Sequence, residues 1–191
     1  MSQLEDAAYR LLKSIYTTKD LKVVSATLEA LVTRDELKQA AHEVVMDDTL
    51  SDGQKISQLQ KLFSGVSQEH IHTWLDMMFE EKQFWLFDSK KFDMFDEFVK
   101  VFQLKSDELV IVHMGTAIPL YDEQIREFGH YFSEQLDGLS VINLQVNPEI
   151  MGGALVRINN LIFDYSLRAK FKRFEIKWID SLSQTQEMLS Y

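Results

Sequence analysis

The chain has 191 residues, 46% of them apolar with 13 Phe and 8 Met, which is ample material for a packed core and argues against intrinsic disorder. It contains no cysteine, which removes disulfides, thiolate catalysis and Cys-based zinc sites together. A net charge of -10 argues against a general nucleic-acid binder, and there is no apolar run of about 18 residues to span a bilayer.

The opening Met1-Ser2-Gln3-Leu4-Glu5-Asp6 is acidic. It lacks the basic region and apolar segment of a signal peptide and the Arg-rich character of a transit peptide. The expectation is a bacterial soluble protein, with a mature organellar form as the alternative. The first half then reads as consecutive amphipathic helices. Leu4, Ala7, Ala8, Leu11, Leu12 and Ile15 recur at helical spacing. Leu21, Val24, Leu28 and Leu31 follow Asp20 as N-cap, and Leu37, Ala40, Ala41, Val44 and Val45 form a third stripe after Arg34. Ser51 with Gln54 makes a capping box ahead of Ile56, Leu59, Leu62 and Phe63. Ser67 is the cap expected for a fifth helix carrying Ile71, Trp74, Leu75, Met78 and Phe79. Glu81 to Phe87 holds an aromatic cluster read as core in preference to a partner surface. A sixth helix shows Phe92, Phe95, Phe98, Val99 and Phe102.

The grammar changes near Gln103 to Asp107. Residues 1–104 contain no proline and only Gly53 and Gly65, whereas residues 105–191 hold both prolines and the other five glycines. Leu109 to Met114 is apolar on both faces apart from His113, so it is expected to be a central strand covered on both sides. Ala117-Ile118-Pro119-Leu120 leads into a helix with Ile125, Phe128, Phe132 and Leu136, broken at Gly138. In Val141 to Val146, Ile142, Leu144 and Val146 alternate with Asn143 and Gln145. Gly153 to Asp164 reads as a hairpin turning at Asn159-Asn160, because Asn tolerates positive φ. Ser166 is expected to cap a last helix with Leu167, Phe171, Phe174 and Trp178 on its buried side. The fold class is α+β: an N-terminal six-helix bundle over 1–104 and a small α/β domain with a few strands and a hairpin over 105–191.

Reactive constellations are sparse. His70 and His72 point about 200° apart on one helix and cannot share an ion, and His42, His113 and His130 have no second ligand at i+3 or i+4. Gly152-Gly153 lacks the context of a phosphate loop and reads as a close backbone approach at a strand start. Asp164 and Ser166 with a histidine have no nucleophile-elbow context, and a helix cap explains Ser166. The carboxylate pairs Asp47-Asp48, Glu80-Glu81 and Asp107-Glu108 read as solvated charge. No catalytic residue, metal or cofactor is expected. The locally basic Arg168, Lys170, Lys172, Arg173 and Lys177 suit a solvated helix face, docking on an acidic partner helix, or contact with RNA or membrane.

Several of these segments together resemble the delta subunit of rotary ATP synthases, the family of the oligomycin-sensitivity-conferring protein. Leu109-Val110-Ile111-Val112 followed by Thr116-Ala117-Ile118-Pro119-Leu120 resembles the family's strand and Ala-x-Pro-Leu turn. Val146-Asn147-Pro148-Glu149-Ile150-Met151-Gly152-Gly153 is similar to its hydrophobic pair and double glycine, and Asp164-x-Ser166-x-Arg168 to its closing element. Trp74-Leu75-Asp76-Met77-Met78 resembles the fifth helix. The family often has Gly-Asp where Asn159-Asn160 stands, and Gly at Tyr165, where Tyr would strain a positive φ.

The resemblance implies a non-catalytic stator subunit that holds the α/β head still while the rotor turns. It implies partners: the N-terminal helix of the α subunit, in a groove of the first and fifth helices, and the C-terminal helices of the peripheral-stalk b subunits. The groove positions would be Ala8, Leu11, Leu12, Ile15, Ile71, Trp74, Leu75 and Met78, each of which also suits the core. Pro119, Asn147, Gly152, Gly153, Asp164, Ser166 and Arg168 would be structural. The implied setting is peripheral, on the cytoplasmic side of the bacterial inner membrane, as a monomer within the complex, without nucleic acid or membrane insertion. The alternative is a small nucleic-acid- or ribosome-associated module using the basic C-terminal helix. A hydrolase, the third class, lacks a nucleophile and base.

Overall fold

A computed structural model describes residues 2–88 and 93–188 of the chain. Phe92 and the side chain of Lys177 lie outside the described residues. The chain divides into two compact units, Met1–Leu109 and Val110–Tyr191.

The first unit contains α1 (Gln3–Lys13), α2 (Thr18–Val32), α3 (Asp35–Met46), α4 (Asp52–Phe63), α5 (Glu69–Glu80), a 3-10 turn at Phe84–Phe87 and α6 (Asp93–Asp107). Local hydrogen bonding decides where these helices start. Ser2 and Glu5 form a capping box, with Ser2 N–H donating to Glu5 Oε2 at 2.7 Å and Glu5 N–H to Ser2 Oγ at 3.2 Å. The N-cap of α2 is Thr17 and not Asp20, because the Thr17 hydroxyl oxygen accepts from Asp20 N–H at 3.1 Å. Likewise Gln68 and not Ser67 caps α5, its Oε1 accepting from Ile71 N–H at 2.8 Å. At α4, Gln54 Oε1 accepts from both the backbone N–H and the hydroxyl of Ser51, each at 2.9 Å.

The apolar stripes meet in an aromatic core. Trp74 stacks on Phe98 with ring centroids 4.7 Å apart, and the Trp74 indole N–H donates to Ala7 O at 3.1 Å. Phe87 touches Phe63 at 5.3 Å and Phe95 at 5.8 Å, so the 84–87 cluster supplies core through Leu86 and Phe87. The turn before it closes without glycine. Lys82 takes φ 59°, Lys82 N–H donates to Phe79 O and Gln83 N–H to Met78 O, the hydrogen-bond pattern that ends a helix on a left-handed residue. Lys38, on α3, is also buried and reaches Asp96 of α6 at 3.1 Å and Asp35 at 3.4 Å.

The second unit holds β1 (Val110–Thr116), α7 (Asp122–Gln135), β2 (Ser140–Val146), a 3-10 turn at Pro148–Ile150, β3 (Ala154–Ile158), β4 (Leu161–Asp164) and α8 (Leu167–Met188). The strand order is β2-β1-β3-β4, with β1 parallel to β2 and antiparallel to β3, and β4 antiparallel to β3. The hairpin turns at Asn159, φ 52°, between paired Ile158 and Leu161.

β1 is central in the sheet but is covered on one face only. Val112 and Met114 point into a core with Phe132, Ile142 and Val156, whereas Ile111 on the opposite face is 46% exposed. An unbroken apolar run therefore overstates burial here. α7 ends at Gln135, ahead of Gly138: Asp137 takes φ 50° and Gly138 N–H donates to Ser133 O at 3.2 Å. A second correction concerns α8. Leu167, Phe171, Phe174 and Trp178 are 44%, 69%, 63% and 59% exposed, so the line expected to be buried faces out. The periodicity is right, but among the described residues the line stays exposed in this structure.

Candidate docking surfaces

In the first unit, Ala8, Leu11, Leu12 and Ile15 come together with Ile71, Trp74, Leu75 and Met78, and all eight are buried. α1 and α5 pack directly on each other, so the apolar side chains expected to offer a groove are already filled by one another. Polar groups close the seam outside: Arg10 Nη1 pairs with Glu81 Oε2 at 2.7 Å while its Nε holds Asp6 at 2.9 Å. The Arg10 guanidinium is held further toward its charged form, first by the hydrogen bond to Glu81.

In the second unit, the residues singled out as a family element gather at one end of the sheet, save Pro119, which is exposed in the turn before α7. Asn147 N–H donates to Thr116 O at 2.7 Å, and Asn147 Oδ1 accepts from Glu149 N–H at 3.0 Å. Met151, Gly152 and Gly153 all have positive φ, at 56°, 90° and 80°. At Gly153 a Cβ would collide with the carbonyl oxygen of Tyr165, so the backbones of β3 and of the β4–α8 corner approach too closely for any other residue. Tyr165 itself is not among the positive-φ residues, and its N–H continues the ladder to Ala154 O at 2.9 Å, so the expected strain is absent.

The α8 start is built on the same corner. Ser166 N–H donates to Asp164 Oδ1 at 2.9 Å, Ala169 N–H to Ser166 Oγ at 3.2 Å, and Leu167 N–H to Gly152 O at 3.0 Å. The Ser166 hydroxyl and N–H lower the Asp164 pKa, helped by Arg173 and Arg168. Arg173 Nη2 donates to Asp164 O at 2.9 Å, and Arg168 lies 3.8 Å from Met151 Sδ. Asp164 and Ser166 thus serve a cap.

Beside this corner lies a feature that sequence patterns do not announce. α7 packs on β2 and, through Phe132, on β1 and on Val156 of β3, and between it and the hairpin an open, mainly apolar cleft of about 870 Å³ remains. Met114, Val156, Ile158 and Phe163 of the sheet form its floor, and Phe128 and Tyr131 of α7 its wall. The available signal is four strands with one amphipathic helix to cover them.

Three of the five histidines take ordinary roles: His72 pairs with Asp76 at 2.9 Å, His42 Nδ1 meets Phe87 O at 2.7 Å, and His113 meets Asn143 at 3.2 Å. Among the described residues no cluster of three His, Asp or Glu is placed to hold a metal, and no helix is long and apolar enough to cross a membrane.

These features define an α+β protein whose second unit carries an open apolar cleft and a line of exposed apolar side chains. The model of the ATP synthase delta (OSCP) subunit family matches residues 10–177, which takes in nearly all of both units. The ATP synthase subunit delta of Lactobacillus acidophilus is 25% identical over 170 residues, covering 85% of this chain and 88% of that protein. That of Enterococcus faecalis is 26% identical over 137 residues, 71% of this chain and 72% of that one. That of Bacillus licheniformis is 35% identical over 85 residues, so this match spans 44% of the chain and 45% of that relative. A chain of the Toxoplasma gondii mitochondrial ATP synthase hexamer aligns over 94% of this chain and 98% of its own length, at 10% identity and a TM-score of 0.34. The chain belongs to the ATP synthase delta (OSCP) subunit family. It is a non-catalytic subunit of that complex with a stator role, and the nucleic-acid module considered for its basic helix has no support in these relationships.

Proposed function

We propose that this chain fixes the catalytic head of a bacterial rotary ATP synthase to its peripheral stalk, with one unit for each contact. The family match that runs from residue 10 to residue 177 through both units carries this reading. The first unit, read as a six-helix bundle with its boundary near 104, receives the N-terminal helix of the α subunit over the α1–α5 seam. The eight buried residues there set the shape of the seam and do not themselves touch the partner. On helical spacing, the surface left to the partner is His70 and Met77 of α5 beside the Arg10–Glu81 pair.

The second unit receives the C-terminal helices of the b subunits. Its exposed apolar side chains support this assignment: on docking, each large aromatic of α8 would bury area contributing roughly 2–3 kcal/mol. The chain sits peripherally on the cytoplasmic side of the inner membrane, as a monomer within the complex. Nanomolar affinity at each end, about -12 kcal/mol, would be reinforced by effective concentration once both are engaged.

Calorimetric titration of the full chain tests this, first with a peptide from the N-terminus of the α subunit and separately with a peptide from the C-terminal end of b. One-to-one binding of both is expected, with Met77→Glu weakening only the head peptide, by about tenfold. A folded chain that binds neither would overturn the assignment.

A further inference from the structure

The cleft of the second unit has the dimensions of a missing helix. A four-stranded sheet is about 15–20 Å wide and a helix about 10 Å across, so one face needs two helices. α7 supplies one, its Phe132 packed with Val112 and Met114 of β1, Ile142 of β2 and Val156 of β3, which leaves the β4 side of the face open. We propose that the second is α8 of the same chain, which closes over the cleft in the free subunit.

Topology fits this occupant. α7 leaves the C-terminal end of β1 and returns along the sheet to the start of β2, which is parallel to β1. β4 is antiparallel to β3, which is antiparallel to β1, so β4 ends at the same edge as β1. α8 follows β4 after Tyr165 and Ser166. Turned back as α7 is, it would lie parallel to α7 and directly over β3 and β4. In this structure no described α8 side chain lines the cleft, and the Leu167, Phe171, Phe174 and Trp178 line is exposed. The cleft is open and mainly apolar, with Phe163 and Tyr165 exposed at its hairpin side, and the apolar stripe of α8 is exposed one corner away.

Charge fits as well. At 100° per residue, Phe128 and Tyr131 face the cleft, Phe132 faces the sheet, and the exposed Glu123 and Glu127 stand on the rim above. With the apolar line of α8 laid on the sheet, Arg168, Lys172 and Glu175 turn toward α7, two cations and one carboxylate. Both pairs are spaced by four residues on helices that start at the same sheet edge, so each cation meets one carboxylate. At the start of α8 the outward position is held by Arg173 to Asp164 O, by Leu167 N–H to Gly152 O and by the distant Arg168–Met151 contact.

The native chain has no cysteine, so an introduced pair reports cleanly. The full chain carrying Tyr131→Cys and Glu175→Cys, both exposed positions, is oxidised mildly without partners. Closure predicts an internal disulfide in monomeric protein. Adding Lys172→Glu should slow its formation about threefold, the scale of an exposed ion pair, and Glu127→Lys should restore it. Folded monomer whose two thiols stay free would overturn the proposal. So would disulfides that form only between chains, which would assign the cleft to a second copy. The outcome is independent of the stator assignment, since no partner enters the experiment.

Discussion

Phe98 of α6 and Phe174 of α8 occupy equivalent places, each on the apolar line of an amphipathic helix. Phe98 is fully buried, stacked on Trp74, and Phe174 is 63% exposed. The same contrast runs through the two units. The large apolar residues exposed in the first are Tyr9, Val23, Met46 and Leu104, scattered singly among the described residues. In the second they follow closely along the chain, Leu161 and Phe163 on one face of β4 with Ile162 on the other, then Leu167, Phe171, Phe174 and Trp178 along one line of α8. Scattered apolar residues need no explanation, whereas a contiguous set marks a surface awaiting cover. A helical stripe thus specifies that burial is needed but not which molecule provides it.

The comparison is broken most forcefully in the first unit. Phe98→Ala removes a ring packed against Trp74, Phe95 and Phe102 and should destabilise that unit by about 3–5 kcal/mol. Urea unfolding followed by the Trp74 and Trp85 emission should show the loss, while the transition of the second unit stays in place. A single cooperative transition that moves as a whole would mean that the two units do not unfold separately.

The second unit should respond to a ligand where the first responds to a cavity. A peptide from the C-terminal end of b, at about one hundred times its Kd, should stabilise the second unit by about 2.7 kcal/mol, leaving the first unchanged. Thermal unfolding with amide exchange resolved by residue measures both. Protection appearing in α1 and α5 instead of α8 and β4 would reverse the assignment of the two docking surfaces.

How much of this is legible in the sequence follows the same division. The α1, α4, α5 and α6 stripes read correctly because their cover lies within the same unit and spacing alone marks it. The caps expected at Asp20 and Ser67 lie three residues and one residue from the actual Thr17 and Gln68. Thr and Asp are both good cap types, so only geometry decides at α2, and at α5 a Gln side chain caps against the usual preference for Ser. Lys38 gives no signal of burial, since a buried ammonium is identified by its partner Asp96, which lies far along the chain. The cleft is invisible because it is a gap between elements, and the outward face of α8 because periodicity carries no partner.

The double glycine offers a smaller test. Gly152-Gly153 reads from sequence as a close backbone approach, and the structure shows the Tyr165 carbonyl occupying the place of a Gly153 Cβ. Gly153→Ala should cost about 2 kcal/mol in the second unit, from the positive φ and the displaced corner together. It should also loosen α8, whose first N–H groups depend on that corner. Circular dichroism at the second transition reports the first effect and exchange at Leu167 and Ala169 the second. An unchanged transition would mean that the corner relaxes freely.

The smallest effect expected is one of pH, at the same corner. Hydrogen bonds from the Ser166 hydroxyl and N–H favour the charged form of Asp164, and Arg173 and Arg168 act in the same direction. The folded pKa is therefore below the ordinary value of 3.8. A carboxylate with a lowered folded pKa contributes stability that is fully present above its unfolded value and is lost as pH falls through the folded one. The start of α8 should consequently keep its exchange protection down to about pH 4 and lose it below, whereas Asp164→Asn should flatten that dependence. Asp164 is fully exposed, so the loss should be confined to the cap, with the sheet core at Val112 and Ile142 unaffected. If α8 loosens before the sheet does, the corner is the point about which it moves, since Asp164 is the carboxylate whose hydrogen bond fixes Ser166 at the start of the helix.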